Sequence, residues 1–110
     1  IEIEAEVDEV SLLIDRAVPL GLVVNEVITN CVKHAFGDAG GRITVKLTAG
    51  VGYGEARLTI SDNGRGIQDD RGHGSGLKLV EALTRQIGGQ FEQQSSSKGT
   101  TTTVVFPVIA

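Results

Sequence analysis

The sequence has little of several features that would point to other classes of protein. It has a single cysteine among 110 residues, which excludes a disulfide scaffold and favours a reducing compartment. No apolar run is long enough to span a membrane, and no signal-peptide pattern opens the sequence. The net charge is −4 and no basic stripe is present, which argues against a nucleic-acid partner. No cluster of His, Cys and carboxylates has zinc spacing, and no nucleophile–base arrangement stands out.

What the sequence does have is an apolar content of 40% and 15 glycines. The length and apolar content predict one compact domain over residues 1–110. The glycines concentrate in residues 37–54, 64–76 and 88–99, which indicates long functional loops. Because the sequence begins abruptly with a strand-like segment, we expect a fragment of a longer protein. We expect that fragment to be cytoplasmic and without direct membrane contact.

The hydrophobic periodicity predicts two long helices. The first has Asp15 as its N-cap, Pro19 in its first turn and Phe36 at its end. The second covers residues 77–87 and is stopped by two glycines, beginning with Gly88, as a left-handed C-cap. Strands are predicted for residues 1–7, 12–14, 42–48, 56–61, 90–94 and 101–108. Two helices with about five strands indicate a two-layer α/β sandwich, with the helices on one face of a mixed sheet.

One face of the first helix carries three polar residues that have useful chemistry together. Glu26, Asn30 and Lys33 are spaced i, i+4 and i+7, so they lie on one side of an α-helix. The carboxylate can accept a proton, the amide oxygen can bind a hard cation, and the ammonium can meet phosphate. A solvated helix face with Glu–Lys pairing is the more common explanation of such a row.

Two glycine-rich segments are further candidates for a binding site, and residues 62–76 are predicted to form a loop. Asp62 follows a strand and precedes Gly64 and Gly66, so its carboxylate can accept from an exocyclic amine while the backbone approaches a flat ring. An ordinary Asp-Asn-Gly turn is the alternative. Residues 72–76 lead into the second helix and can offer backbone N–H groups to phosphate, although a flexible linker has the same composition.

Taken in order, four segments resemble the boxes of the Bergerat-type ATP-binding fold of histidine kinases, gyrase-like ATPases and MutL-like proteins. The first has the sequence Asn-Glu-Val-Ile-Thr-Asn-Cys-Val-Lys-His-Ala-Phe and resembles the N box. The others are the Asp-Asn-Gly-Arg-Gly segment, the Gly-His-Gly-Ser-Gly-Leu segment, and Gly-Thr-Thr before the last strand. The segments at residues 15–22 and 79–89 resemble sensor kinases allied to the HWE group. The resemblance covers the whole chain and implies a mixed, mostly antiparallel sheet.

The resemblance also implies a role for each matching residue. Asn30 is expected to bind Mg²⁺, Lys33 to contact the phosphates, and Glu26 to polarise the attacking group as the catalytic residue. Asp62 is expected to bind the adenine amino group, with Thr101 assisting through water. The implied nucleotide-binding residues are Asn30, Lys33, His34, Asp62, Gly64, Gly66, Gly74, Ser75, Gly76, Leu77 and Thr101.

The function implied is binding of Mg-ATP and supply of its γ-phosphoryl group to a histidine in a two-component system. The partners implied are a histidine-containing dimerisation domain of the same protein and a downstream response regulator. This sequence departs from the family pattern in three ways. It contains no dimerisation helix with a phosphoacceptor histidine. The lid segment between Gly66 and Gly72 is short and has no Phe-rich box. Cys31 also stands where alanine usually follows the metal-binding asparagine. The alternatives are an anti-sigma-factor serine kinase of the same fold and a non-catalytic nucleotide-binding or docking module.

Overall fold

A computed structural model describes residues 2–12, 14–35, 41–52, 54–64, 75–96 and 98–108. The chain alternates strands and helices in the order expected for a two-layer α/β domain. None of the helices in these described ranges is long and apolar enough to cross a membrane. The elements are β1 (Glu2–Val7), α1 (Ile14–Asn30), a π-helical turn (Cys31–Ala35), β2 (Arg42–Gly52), β3 (Glu55–Asp62), α2 (Ser75–Gln86), β4 (Gln90–Ser96) and β5 (Gly99–Pro107).

The five strands form one mixed sheet in the order β1-β2-β3-β5-β4. Strand β1 is parallel to β2, and the other neighbouring pairs are antiparallel. On the inner face, Leu58 of β3 pairs with Val104 of β5, and both are buried. The helices complete this core, whose buried members include Leu20, Val23, Val27, Ile43, Ala56, Ile60, Val80, Leu83, Ile87 and Phe106. The predicted sandwich, with a mostly antiparallel sheet and both helices on one face, is therefore confirmed.

The outer face of the sheet is polar because strand residues alternate between the two faces. On β1 and β2, Arg42 contacts the carboxylates of Glu2 and Glu4, and Lys46 contacts that of Glu6. All of these side chains are more than half exposed, so their ion pairs contribute little to stability. This charged face of the sheet is exposed to solvent, and the hydrophobic core lies on the opposite face, under the helices.

The start of α1 differs from the prediction. The expected strand at residues 12–14 is wrong, because Ile14 is the first residue of α1. Leu12 packs against the core whereas Ile14 is exposed, so the two do not share a face as alternate residues of a strand would. Asp15 is therefore inside the first turn and is not the N-cap. Because the helix begins this early, Pro19 is buried within it and does not lie in its first turn.

The end of α1 also departs from the predicted continuous helix. The α-helical part ends at Asn30, and a π-helical turn, Cys31–Ala35, continues it. A π-turn replaces i→i+4 hydrogen bonding with i→i+5 and changes the direction of the side chains that follow it. Such turns are frequent at functional sites. Phe36, the predicted end of the helix, lies outside the described residues.

The remaining boundaries shift by a few residues. Strands β2 and β3 continue further toward their turn than predicted, with an irregular pairing between Ala49 and Gly52. The loop predicted for residues 62–76 is too long, because α2 already begins at Ser75. The predicted C-cap is confirmed: Gly88 has a φ of 72°, its N–H donates to the carbonyl of Arg85, and the next glycine donates to that of Thr84.

Candidate functional site

Asp62 is the centre of a buried hydrogen-bond network at the end of β3. Its side chain faces the helix layer and the residue is only 8% exposed. Its Oδ1 accepts from the backbone N–H of Gly64 at 2.9 Å and from that of Thr100 at 3.3 Å. Its Oδ2 accepts from the Sγ of Cys31 at 3.3 Å. Donors from a turn, a neighbouring strand and a helix therefore fix this carboxylate.

The Gly64 contact shows how the sequence forms this site locally. An aspartate that accepts from the N–H two residues on closes a tight turn, which ends β3 and keeps the carboxylate beside the strand end. Asn63 strengthens the same turn, since its Oδ1 accepts from the N–H of Arg42 at 2.7 Å. The predicted Asp-Asn-Gly turn is therefore present, and it also positions the carboxylate. The turn and binding-site interpretations of this segment do not exclude one another.

The first residues of β5 form the second wall of the site. A β-carbon added to Gly99 would collide with the backbone carbonyl oxygen of Asp62, and the φ of Gly99 is +138°. Both facts require glycine there. The close approach allows the N–H of Thr100 to reach Asp62, while the Oγ1 of Thr100 lies 3.0 Å from the Oγ of Ser95. The sequence Gly-Thr therefore brings a donor to the carboxylate.

Thr101, the predicted assistant to Asp62, lies on the other face of the sheet. It pairs with Ser61, and their hydroxyl oxygens are 3.4 Å apart. Because strand residues alternate, Ser61 and Thr101 point away from the face that carries Asp62. The structure thus does not bring Thr101 together with Asp62, and the residue that contacts the carboxylate is Thr100. The signal for it was present in the sequence, since Thr100 has the same parity along the strand as the core residue Phe106.

The row predicted on the first helix is only partly retained. Glu26 and Asn30 are half-buried on α1, whereas Lys33 is exposed within the π-turn. Asn30 is the last residue of the α-helical part, so Lys33 no longer follows it at a regular α-helical angle. The next residue, Cys31, joins this helix to Asp62. The end of α1 and the end of β3 therefore meet at one place, with Asn30 beside the contact in the chain.

The other predicted residues are described in part or not at all. Gly66 and Gly74 lie outside the described residues. For His34, Ser75, Gly76 and Leu77 the structure describes only the backbone. His34 belongs to the π-turn, and the other three form the first turn of α2, whose N–H groups have no partner within the helix itself. The predicted helix start is thus present at Ser75, two residues earlier than expected.

The electrostatics of the site keep the Cys31 thiol protonated. Burial, with the charge of Asp62 and the hydrogen bond acting in the same direction, raises the pKa of the Cys31 thiol to about 12. The thiol is therefore a protonated donor at neutral pH. Within the described ranges, no group of three or more His, Cys, Asp and Glu side chains is arranged to hold a metal ion. An amide such as Asn30 can supply one oxygen ligand to a hard cation that phosphate oxygens also bind.

Comparison with known proteins identifies relatives that all belong to one group of ATPases. Residues 15–110 match the family of histidine kinase-, DNA gyrase B- and HSP90-like ATPases. The chain is 32% identical over 113 residues to Blue-light-activated histidine kinase 2 of Erythrobacter litoralis, which covers 98% of this chain and 32% of that protein. It is 32% identical over 75 residues to the DNA gyrase B protein of Caulobacter vibrioides, covering 66% of this chain and 9% of that one.

The solved structures include the histidine kinase domain of an Erythrobacter litoralis blue-light-activated histidine kinase. It superposes with a TM-score of 0.87 at 28% identity, over 97% of this chain and 54% of that chain. The chain thus spans 32% of the length of the curated histidine kinase that it matches. The family match and this superposition confirm both the resemblance and the Bergerat fold. The chain belongs to the histidine kinase-, DNA gyrase B- and HSP90-like ATPase family, as an ATP-binding domain of the histidine kinase type.

Proposed function

We propose that this chain binds Mg-ATP and supplies the γ-phosphoryl group that a histidine of a separate dimerisation domain receives. The observation that carries the proposal is the buried Asp62 carboxylate at the meeting point of α1, β3 and β5. A buried carboxylate held by three protein donors is a well-fixed acceptor, and the exocyclic amine of adenine is a donor of matching size. The family to which the chain belongs supports ATP as the ligand.

The phosphate end of the nucleotide is assigned to the end of α1 and the start of α2. The amide oxygen of Asn30 would hold Mg²⁺, which neutralises phosphate charge when it is bound. Lys33 is exposed and can reach a phosphate oxygen, and the N–H groups that begin α2 favour anions. Glu26 is half-buried one helical turn before Asn30, where its carboxylate can accept a proton from the attacking imidazole.

The adenine end is assigned to Asp62 together with Gly64 and the first residues of β5. The backbone N–H of Gly64 holds the Asp62 carboxylate, and a residue without a side chain at this position suits the close approach of a flat ring. We propose Thr100 in place of Thr101 for this role, because the backbone N–H of Thr100 donates to Asp62 and its side chain is buried on the inner face of the sheet. Gly66 stays a prediction for the close approach to the base, and Gly74 and Gly76 stay predictions for the loop over the phosphates. His34, Ser75 and Leu77 stay predicted nucleotide-binding residues.

The wider role follows from the relatives. We propose that residues 1–110 are one catalytic and ATP-binding domain of a longer cytoplasmic histidine kinase, with a response regulator as the downstream partner. The identity of 32% to a histidine kinase over almost the whole chain favours this function over an anti-sigma-factor serine kinase. A non-catalytic module would retain the fold without needing Glu26, which makes that residue the point of distinction.

Isothermal titration calorimetry of the 110-residue chain with ADP tests the proposal. We expect saturable binding that strengthens at least about tenfold when Mg²⁺ is added, since the cation offsets charge repulsion around the phosphates. Circular dichroism of the same sample establishes that the chain is folded. A folded chain that binds no nucleotide with or without Mg²⁺ contradicts the proposal.

A further inference from the structure

Three large apolar side chains are exposed in one row along α1. Ile14, Val18 and Leu22 are 79%, 56% and 48% exposed, and each follows the one before it by four residues. Four residues advance an α-helix by about 6 Å and turn it by about 40°, so the three side chains form one ridge. The core side of the helix carries other residues, among them Leu20 and Val23. This α1 ridge therefore faces away from the core of the domain.

A neighbouring glycine shows that the same side of the helix is open. Gly21 is exposed beside Leu22, and no atom of the described residues lies within 4 Å of a β-carbon added to it. Glycine inside a helix is less stable than alanine. Packing within the described part of the domain does not require glycine at this position. A residue that destabilises the helix and leaves its backbone accessible favours the close approach of another element.

The α1 ridge continues directly into the residues proposed for phosphoryl transfer. The next two positions of the same i, i+4 row are Glu26 and Asn30, and both are half-buried within α1. The spacing places Glu26 about 6 Å beyond Leu22 along the helix axis. A helix that packs on Leu22 can therefore present the side chain of its next turn to Glu26.

The position of the α1 ridge favours a helix of the same kinase as its occupant. An exposed apolar row suits an amphipathic helix, whose own apolar side chains can pack between those of the ridge. A second copy of this domain at the ridge would crowd Glu26, which the attacking imidazole has to reach. This chain spans 54% of the solved histidine kinase domain on which it superposes, so that domain has nearly as much chain again outside the matched part.

We propose that the α1 ridge is the docking surface for the helix of the dimerisation domain that carries the phosphoacceptor histidine. This inference rests on the proposed function and adds the place where the partner binds. Apolar side chains of that helix pack on Ile14, Val18 and Leu22. Its histidine lies about one helical turn from the residue that packs on Leu22, opposite Glu26. Docking therefore brings the imidazole to the carboxylate without using any residue of the adenine contact.

The first experiment measures autophosphorylation of the full-length protein at saturating ATP. We expect Leu22→Lys to slow it by about tenfold or more, because docking would bury an unpaired ammonium group. Leu22→Met keeps an apolar side chain and should stay within about threefold of the parent. ADP binding by the 110-residue chain should change by less than about twofold in both variants, since the side chain is on the surface of the isolated domain.

Val7→Lys is the control for a new charge at an exposed apolar position. Val7 is 66% exposed, and it pairs with Leu47 at the far end of the sheet from Asp62, which pairs with Ile43. We expect this variant to autophosphorylate within about twofold of the parent. Equal rates in Leu22→Lys and Val7→Lys would overturn the inference, and so would a loss of ADP binding in Leu22→Lys that accounts for its slower reaction.

A second experiment identifies the occupant directly. A photoreactive maleimide is attached to Leu22→Cys in the full-length protein, with the parent showing any background from the buried Cys31. We expect the cross-linked peptide to lie in the dimerisation domain, within about two helical turns of the phosphoacceptor histidine. Cross-linking to a second copy of this domain, or to any other segment, overturns the inference and leaves the proposed function intact. A folded parent chain that binds no ADP contradicts the proposed function itself.

Discussion

Gly99 packs against the backbone of Asp62 so closely that no β-carbon fits between them. Two antiparallel strands, β3 and β5, meet at this point, and the contact lies where β5 begins and β3 ends. The φ of Gly99, +138°, is also outside the range of residues with a β-carbon. Steric fit and backbone conformation thus both require glycine at position 99, next to the residue that carries the carboxylate of the site.

We expect Gly99→Ala to lower the free energy of unfolding by about 2 kcal/mol or more and to displace Asp62. Gly50→Ala is a matched control, because Gly50 has a φ of +68° and no atom within 4 Å of an added β-carbon. It should show only the backbone strain of about 1–2 kcal/mol and bind ADP like the parent. Urea denaturation and calorimetry measure the two effects. If both variants lost the same stability and bound ADP like the parent, the contact between Gly99 and Asp62 would contribute neither to stability nor to ADP binding.

Asp62→Asn tests the acceptor at the adenine end. The amide oxygen can keep the contacts with Gly64 and Thr100, which leaves its NH₂ group on the side of Cys31. A donor then faces the donor of adenine, and we expect ADP binding to weaken by about tenfold to a hundredfold. Asn63→Asp is the control, because Asn63 is exposed and its oxygen only needs to accept from Arg42. The assignment of Asp62 does not survive if the two variants bind ADP equally well.

Asn30→Ala tests the proposed cation ligand separately from the adenine contact. We expect it to remove most of the strengthening by Mg²⁺ and to leave metal-free ADP binding within about threefold, since one hard oxygen ligand is lost. Thr29→Ala is the control on the same helix, because the Thr29 hydroxyl donates to the carbonyl of Asn25 and not to the site. Titrations with and without EDTA measure the difference. Normal Mg²⁺ dependence in Asn30→Ala would remove the metal role.

Glu26→Gln distinguishes a catalytic domain from a docking module. In the full-length protein that contains this domain, we expect ATP affinity within about twofold of the parent and autophosphorylation slower by about a hundredfold or more, because the amide does not accept a proton. Glu81→Gln is a matched control on an exposed position of α2. Radioactive phosphate transfer measures the rate. Parent-like rates in Glu26→Gln would take the catalytic role away from that residue.

The sequence predicted those parts of the fold that local chemistry determines. Short segments of the sequence determine three of these features. They are the Gly88 cap, the alternation of buried residues in β3 and β5, and the association of Asp62 with a turn. The face of the sheet on which Thr101 lies could also have been predicted from the sequence. That prediction required counting alternate residues along the strand from the apolar residue Phe106. A resemblance between boxes identifies a Gly-Thr-Thr segment and does not by itself say which threonine faces the site.

Other features depend on tertiary contacts that no local pattern contains. The residues of the π-turn after Asn30 carry no local signal that separates them from a continuing α-helix, and the first of them, Cys31, contacts Asp62, 31 residues later in the chain. Helix α1 begins at Ile14, which is itself exposed, and the face of the helix that packs on the core contains Leu20, further along the chain. Propensity is a weak guide wherever such contacts compete with it.

The raised pKa of Cys31 predicts an alkaline loss of stability. The thiol has a pKa near 9.0 in the unfolded chain and of about 12 in the folded one, chiefly because it is buried. Below pH 9.0 the thiol is protonated in both the folded and the unfolded chain, and its contribution to the free energy of unfolding is complete. Above that pH, only the unfolded chain releases the proton. Stability therefore falls as pH rises, by about 1.4 kcal/mol per pH unit for one proton, until the folded thiol also ionises.

Cys31→Ser has no titrating group at this position, so it separates the effect of the thiol from that of the lysines and the tyrosine. Between roughly pH 8 and roughly pH 10, we expect the parent to lose about 1 kcal/mol more of its free energy of unfolding than Cys31→Ser does. Urea denaturation at each pH, in EDTA and a reducing agent, measures this difference without metal ions or oxidation. Parallel stability profiles would mean that the folded thiol ionises as readily as the unfolded one, and that Asp62 and burial do not hold its proton.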